Sequence, residues 1–204
     1  MVERQLRRRG IGDERVLEAM REVPRDAFVP EGQRRRSYAD SALPIGSEQT
    51  ISQPWIVAAI CQALELTGSE TVLEIGTGSG YSAAVLARLA SEVVTIERHA
   101  ELADEARDLL ADLGIEDVEV VIGDGSRGLP DRAPFAAIAV HATAPRPPAA
   151  LIEQLAPDGR LVVQIASRGA DMLTQLRRQG NKVVSETIGP CRFVPLIGEE
   201  GYES

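Results

Sequence analysis

The segment Val72-Leu-Glu-Ile-Gly-Thr-Gly-Ser-Gly80 constrains this chain more than any other. Glycines at 76, 78 and 80 stand where a short apolar strand over 71–75 gives way to a helix over roughly 80–90. Backbone without a Cβ can turn through positive φ there and approach a ligand closely. The rhythm then repeats, with a strand at 93–97, a helix at about 100–113 ending near Gly114, and a strand at 118–122. A strand at 135–140, a helix starting near Pro148 and a strand at 160–165 follow. Residues 170–179 read as helix, and 182–188 and 192–196 as extended. Strands alternating with helices build parallel βαβ units. The expected fold is therefore α/β: a Rossmann-like, doubly wound, mostly parallel seven-stranded sheet with helices on both faces.

An N-terminal helical and loop extension precedes it. Residues 1–22 read as two short helices broken at Gly10-Ile11-Gly12, with Asp13 as N-cap of the second. From Pro24 to Pro54 no period is visible, and Pro, Gly and Ser abound, so this stretch reads as a functional loop region. Ile56, Ala59, Ile60, Ala63 and Leu64 recur at helical spacing. A chain of 204 residues suits one domain, with 1–67 as extension and 68–204 as cofactor-binding core.

Charge narrows the partners. A net charge of −9 opposes broad attraction to nucleic acid or an anionic membrane, so neither is expected as a partner. Residues 1–36 run against that balance, with ten Arg facing seven Asp and Glu. The Arg34–36 run reads as a solvated face, with a docking surface for acidic peptides as the alternative. Cys61 and Cys191 match no metal-ligand spacing, no metal is expected, and free thiols in a reducing cytoplasm are the plain reading. The opening residues lack an apolar signal region, and no stretch reaches the ~18 apolar residues of a spanning helix. A cytoplasmic monomer is the expectation.

Glu97 ends the second strand of the core, 21 residues after Gly76, where a carboxylate can accept hydrogen bonds from ribose hydroxyls. A dinucleotide site would want Gly or Ala at position 81, and Tyr81 stands there. Glu74, just before the turn, would repel a pyrophosphate but suits a ligand bearing a sulfonium and an amino group. S-adenosyl-L-methionine, leaving as S-adenosyl-L-homocysteine, fits better than NAD. In Gly123-Asp-Gly125, Asp124 is positioned to accept from an adenine amino group, an Asx turn being the alternative. The candidate cofactor set is Glu74, Gly76, Thr77, Gly78, Ser79, Gly80, Tyr81, Glu97, Arg98, Asp124 and Gly125.

The segment Leu43-Pro-Ile-Gly-Ser-Glu-Gln-Thr-Ile-Ser-Gln-Pro-Trp55 resembles the LPIG-x-GQTISQP signature of protein-L-isoaspartate O-methyltransferases. Val23-Pro-Arg-Asp-Ala-Phe-Val-Pro30, Gly123-Asp-Gly125, Ala133-Pro-Phe135 and Arg192-Phe-Val-Pro-Leu196 also match in order and spacing, so the likeness spans nearly the whole chain. Four places depart from the pattern: Glu48 replaces a Gly, Ala136 an acidic residue, Gln164-Ile-Ala166 a PVG, and His141 a small or hydroxyl residue.

The resemblance implies methyl transfer to the free carboxylate of isoaspartyl, and less efficiently D-aspartyl, residues in damaged proteins and peptides. The ester then closes to a succinimide that partly reopens to normal aspartate. A carboxylate with a pKa near ~4 is already ionised at neutral pH and needs no general base. The family's active-site Ser carries over to Ser52, with help from Thr50; an N-cap role for Ser52 is the alternative. Gln49, Ile51, Gln53, His141, Ala142 and Arg192 are the candidate substrate-binding residues, with loop-fixing the alternative for the two glutamines and a pocket-wall role for His141. Trp55 reads as packing. The rival functions are a methyltransferase for a small acid or RNA, and a ligand-binding paralogue without turnover.

Overall fold

The computed structural model describes residues 1–180 and 182–203. Strand β1 (Leu43–Gly46) and β2 (Gln49–Ile51) form a small antiparallel hairpin. The main sheet holds seven strands: β3 (Thr71–Ile75), β4 (Glu92–Glu97), β5 (Val118–Ile122), β6 (Phe135–Ala144), β7 (Leu155–Ile165), β8 (Met172–Gln179) and β9 (Lys182–Pro190). Their order is β5-β4-β3-β6-β7-β8-β9. The first five run parallel, and the β7–β8 and β8–β9 pairs are antiparallel. The chain winds outward from β3 to β5, then returns to lay β6 on the other side of β3. That reversal opens a crevice beyond the carboxyl ends of β3 and β6, where open α/β sheets bind ligands.

Successive strand residues face opposite sides, and two apolar clusters result. Val72, Val93, Ala137, Ala139 and Val162 pack with α1 (Glu14–Glu22), α2 (Pro54–Leu64), α3 (Tyr81–Ala87) and α4 (Ala100–Asp112). Leu73, Val94, Ile138 and Leu161 pack on the other side with Leu151 of the short α5 (Ala149–Glu153). Val2, Leu6, Leu17 and Met20 belong to the first cluster, so the N-terminal extension and the sheet share one core. None of the described helices is long and apolar enough to cross a membrane.

Two expectations are corrected. Residues 170–179, read as helix, form β8, because Leu173 and Leu176 at helical spacing are buried from two sides of a central strand. The segment 192–196 adds no strand of its own: it makes a single bridge, Thr143 to Pro195, and the Thr143 amide donates to the Val194 carbonyl (2.8 Å). The sheet keeps seven members because β8 takes the place expected for that segment.

Asp13 caps α1 as expected, accepting from the amides of Arg15 (2.9 Å) and Val16 (3.4 Å). Replacing Asp13 with Ala leaves those donors unpaired and should lower the unfolding free energy by about 1 kcal/mol. A urea titration checks this: the midpoint falls and the slope stays unchanged.

Candidate active site

The glycine turn takes the conformation its sequence permits, with φ of 92° at Gly76, 53° at Gly78 and 83° at Gly80. Its backbone closes on Glu97, whose Oε2 accepts from the Gly78 amide (2.9 Å) and whose Oε1 accepts from the His99 amide (3.0 Å). Each oxygen keeps a second lone pair. The Glu97 carboxylate thus ties the turn after β3 to the turn after β4 and still faces the crevice. Gly125 allows a third loop to close in, since a Cβ there would lie 2.5 Å from Ile75 Cγ2.

One crevice at the carboxyl edge of the sheet gathers most of the candidate residues. Gly76, Thr77, Gly78, Ser79, Tyr81, Glu97, Arg98 and Gly125 line it, as do Gln49, Thr50, Ile51, Ser52, His141 and Ala142. Five candidates stand outside that lining. Gln53 begins α2, and Gly80 opens α3, where an added Cβ would meet Ala106 and Leu110. Arg192 is exposed to solvent. Asp124 faces a shallow neighbouring recess that it shares with Arg98, Ile197 and Tyr202.

Glu74, the fifth, is fully buried beneath the turn. Thr95 donates to its Oε2 (2.6 Å) and in turn accepts from Thr77 (2.7 Å). Its Oε1 makes no hydrogen bond among the described residues and lies 3.1 Å from His141 Nε2. His141 Nε2 also meets the Ser82 hydroxyl at 2.8 Å. A buried carboxylate oxygen without a donor is costly. Here it sets negative charge under the crevice, which suits a cationic ligand. The orphaned Oε1, the positive-φ turn and Glu97 together fit an adenosyl ligand bearing an ammonium and a sulfonium.

The acceptor side is built by the β1–β2 hairpin. Its connecting residues Ser47 and Glu48 both adopt left-handed φ, 45° and 58°. Glu48, standing where the family pattern has Gly, therefore takes a conformation that favours glycine, at a cost of roughly 1–2 kcal/mol. Asp40 Oδ1, rather than Ser52, accepts from the Trp55 amide at the start of α2. Ser52 Oγ has no hydrogen bond among the described residues, so the capping alternative does not engage it. Trp55 packs under Arg9, whose guanidinium sits 4.6 Å from the ring centroid.

The C-terminal segment closes the far wall with Val194, Pro195, Leu196 and Ile197. Gln164, another departure from the pattern, is fully buried; it accepts from Thr143 Oγ1 and donates to the Cys191 carbonyl, which anchors that segment to β6 and β7. Sequence reasoning missed this wall, and also Ser82 and Val57. The glycine motif and the matching Arg192–Leu196 segment stand beside several of them, but which of their side chains reach the crevice follows from long-range packing that a single sequence does not record.

Asp124 is engaged as the Asx-turn alternative required, and by more than the turn. Its Oδ1 accepts from the Ser126 amide (2.9 Å) and hydroxyl (2.7 Å), and its Oδ2 from the Glu199 amide (2.9 Å). Partial burial acts to raise its pKa, but the Glu199 and Ser126 donors prevail and hold it below the usual carboxylate value.

The family description for protein-L-isoaspartate(D-aspartate) O-methyltransferase (PCMT) matches residues 1–201. A protein-L-isoaspartate O-methyltransferase of Methanoculleus marisnigri is 51% identical over 203 residues, covering 100% of this chain and 92% of the relative. A solved protein-L-isoaspartate O-methyltransferase superposes with a TM-score of 0.86 at 28% identity, covering 98% of this chain and 67% of that one. A Plasmodium falciparum structure described as a beta-aspartate methyltransferase in complex with S-adenosyl-L-homocysteine shares the fold, with a TM-score of 0.83, 23% identity and 96% of both chains covered.

The lowered pKa of Asp124 gives a pH prediction with a definite sign. A depressed carboxyl stabilises the folded contact above its unfolded pKa of about 4, and the contribution is lost as pH falls through the lower folded value. Amides 198–200 should therefore lose protection in acid, after correction for intrinsic rates, while the β3 and β4 amides keep theirs. Hydrogen exchange read by mass spectrometry checks this, and Asp124→Ala should reproduce the loss at neutral pH.

Proposed function

The chain belongs to the protein-L-isoaspartate(D-aspartate) O-methyltransferase family, and from that premise we propose which of its residues carry the reaction. The activity is protein repair: a methyl group passes from S-adenosyl-L-methionine to the free carboxylate of isoaspartyl, and D-aspartyl, residues in damaged proteins. The donor supplies an electrophilic methyl group. The observation that carries our assignment is that Ser52, with its hydroxyl uncommitted, and the Gly76–Ser79 turn line the same crevice.

Glu97 accepts from the ribose hydroxyls, and the backbone of Gly76 to Ser79 takes the amino-acid portion. The uncommitted Oε1 of Glu74 attracts the ammonium from beneath the turn. Arg98 and Gly125 flank the adenosyl portion, and Asp124 accepts from the adenine amino group through the second lone pair of Oδ2, beside its bond from the Glu199 amide. Ser52, assisted by Thr50, donates a hydrogen bond that holds the acceptor carboxylate in place. A neutral hydroxyl suits this task, since a cationic clamp would dull the nucleophile. Gln49, Ile51 and Ala142 shape the entrance for the substrate backbone, and His141 forms the wall toward Glu74 rather than acting as base. The acceptor is already ionised, so proximity and exclusion of water supply the rate; positioning of this kind is worth about 7–11 kcal/mol. Val57, Ile75, Leu196 and Ile197 provide the apolar surface that excludes water.

The extension 1–67 and core 68–204 act on this reading as one unit, which their shared apolar cluster supports. The free thiols Cys61 and Cys191 fit a reducing cytoplasm as its setting, and the reading takes the chain to act as a monomer.

Labelled methyl transfer to paired peptides tests the activity: base-labile label should appear on the isoaspartyl peptide and not on its aspartyl twin. Label on both or neither would overturn it. Ser52→Ala should lower kcat by roughly 10–100-fold while affinity for S-adenosyl-L-homocysteine, read by calorimetry, stays unchanged. Glu97→Ala should do the reverse, weakening that affinity first.

A further inference from the structure

Arg25 is fully buried, in the short 3-10 turn Arg25–Phe28, and the reaction described above gives it no task. Its Nε donates to the Ser37 carbonyl and its Nη2 to the Ser52 carbonyl, both at 2.7 Å. The guanidinium carbon lies 4.7 Å from the ring centroid of Tyr81, the first residue of α3 after the glycine turn. Phe28, from the same short turn, packs edge-on against that ring with centroids 5.6 Å apart. Nη1 is buried without a hydrogen-bond partner, and Arg25 forms no ion pair among the described residues.

A buried cation held by two carbonyls and an aromatic face, with no ion pair among the described residues, is a poor device for stability alone. It is a good device for geometry. The planar guanidinium offers donors in fixed directions and a face that stacks, so it ties three separate pieces of chain at one point. Those pieces are the end of the Arg-rich turn at Ser37, the acceptor loop at Ser52, and the helix that follows the donor turn. We propose that Arg25 is a positioning residue for methyl transfer: it fixes the backbone of Ser52 relative to Tyr81, and so sets the distance from the Ser52 hydroxyl to the donor turn. This rests on the reading of Ser52 as the group that orients the acceptor. Burial pushes the Arg25 pKa down, yet arginine stays charged, so the clamp holds across the working pH range.

Arg25→Lys keeps the charge and loses the fork; Arg25→Met loses both. Both should lower kcat on an isoaspartyl peptide by roughly tenfold or more, as misplacement of a reacting group does, with Arg25→Met at least as slow as Arg25→Lys. Affinity for S-adenosyl-L-homocysteine should be unchanged, and amides 49–53 should exchange faster while those of β3 do not. If Arg25→Met fails to fold, Arg25→Lys carries the test. Unchanged kcat in a folded Arg25→Lys, or affinity falling in step with kcat, would overturn the proposal. Ser52→Ala measured beside it separates the two readings: a slow Ser52→Ala with a normal Arg25→Lys sinks the Arg25 role alone. A fully active Ser52→Ala sinks the Ser52 reading and the role of Arg25 with it.

Discussion

The bond from the Gly78 amide to Glu97 is the interaction on which the rest of the carboxyl edge depends. It fastens the turn after β3 to the end of β4, and the parallel register of those strands makes it possible by pairing Ile75 with Ile96. With that turn fixed, α3 leaves in one direction only, carrying Tyr81 and Ser82 to the two sides of the crevice. Tyr81 then meets Arg25, which holds the Ser52 carbonyl, while Ser82 meets His141 on the neighbouring strand. A side chain at Gly78 would both strain a φ of 53° and press within 3.3 Å of Ile45, in the hairpin that carries Gln49 to Ser52. The donor turn and the first strand of the hairpin therefore pack closely, with no room for a side chain between them.

Charge is arranged in layers around this point. Two buried carboxylates, Glu74 and Glu97, lie on the donor side, and a buried guanidinium, Arg25, lies behind the acceptor loop. Isolated buried charges are expensive; Glu97 is offset by backbone amides, Arg25 by carbonyls, and Glu74 in part by the Thr95 hydroxyl with His141 beside its other oxygen. The result is negative potential where a cationic donor is to sit and positive charge behind the loop that receives an anion. That polarity agrees with transfer from a sulfonium to a carboxylate.

Much of this was legible in the sequence because it is local. Glycines at a strand end, a carboxylate at the next strand end and the hairpin segment each announce themselves within a few residues. The failures share a physical cause as well. Leu173 and Leu176 mimic a helix face because a central strand buries both of its sides, which removes the alternation that marks a strand. Position placed Glu74 beside the donor turn, but that it lies fully buried beneath it, with Thr95 on its Oε2, follows only from the fold. Asp124 is claimed by Glu199 across 75 positions, and Arg25 reaches Ser52 across 27; no local pattern records either partner. Glu48 is the instructive intermediate case. Its departure from glycine was visible, but only the structure shows that it takes a left-handed φ.

The central claim is geometric, and a crystal structure with S-adenosyl-L-homocysteine and an isoaspartyl peptide bound together measures it directly. The peptide's free carboxylate should lie within hydrogen-bond reach of Ser52 Oγ, about 2.6–3.2 Å, with one oxygen aligned toward the donor sulfur. A carboxylate seated away from residues 49–53, or a sulfur turned away from them with the adenosyl group in place, would contradict it.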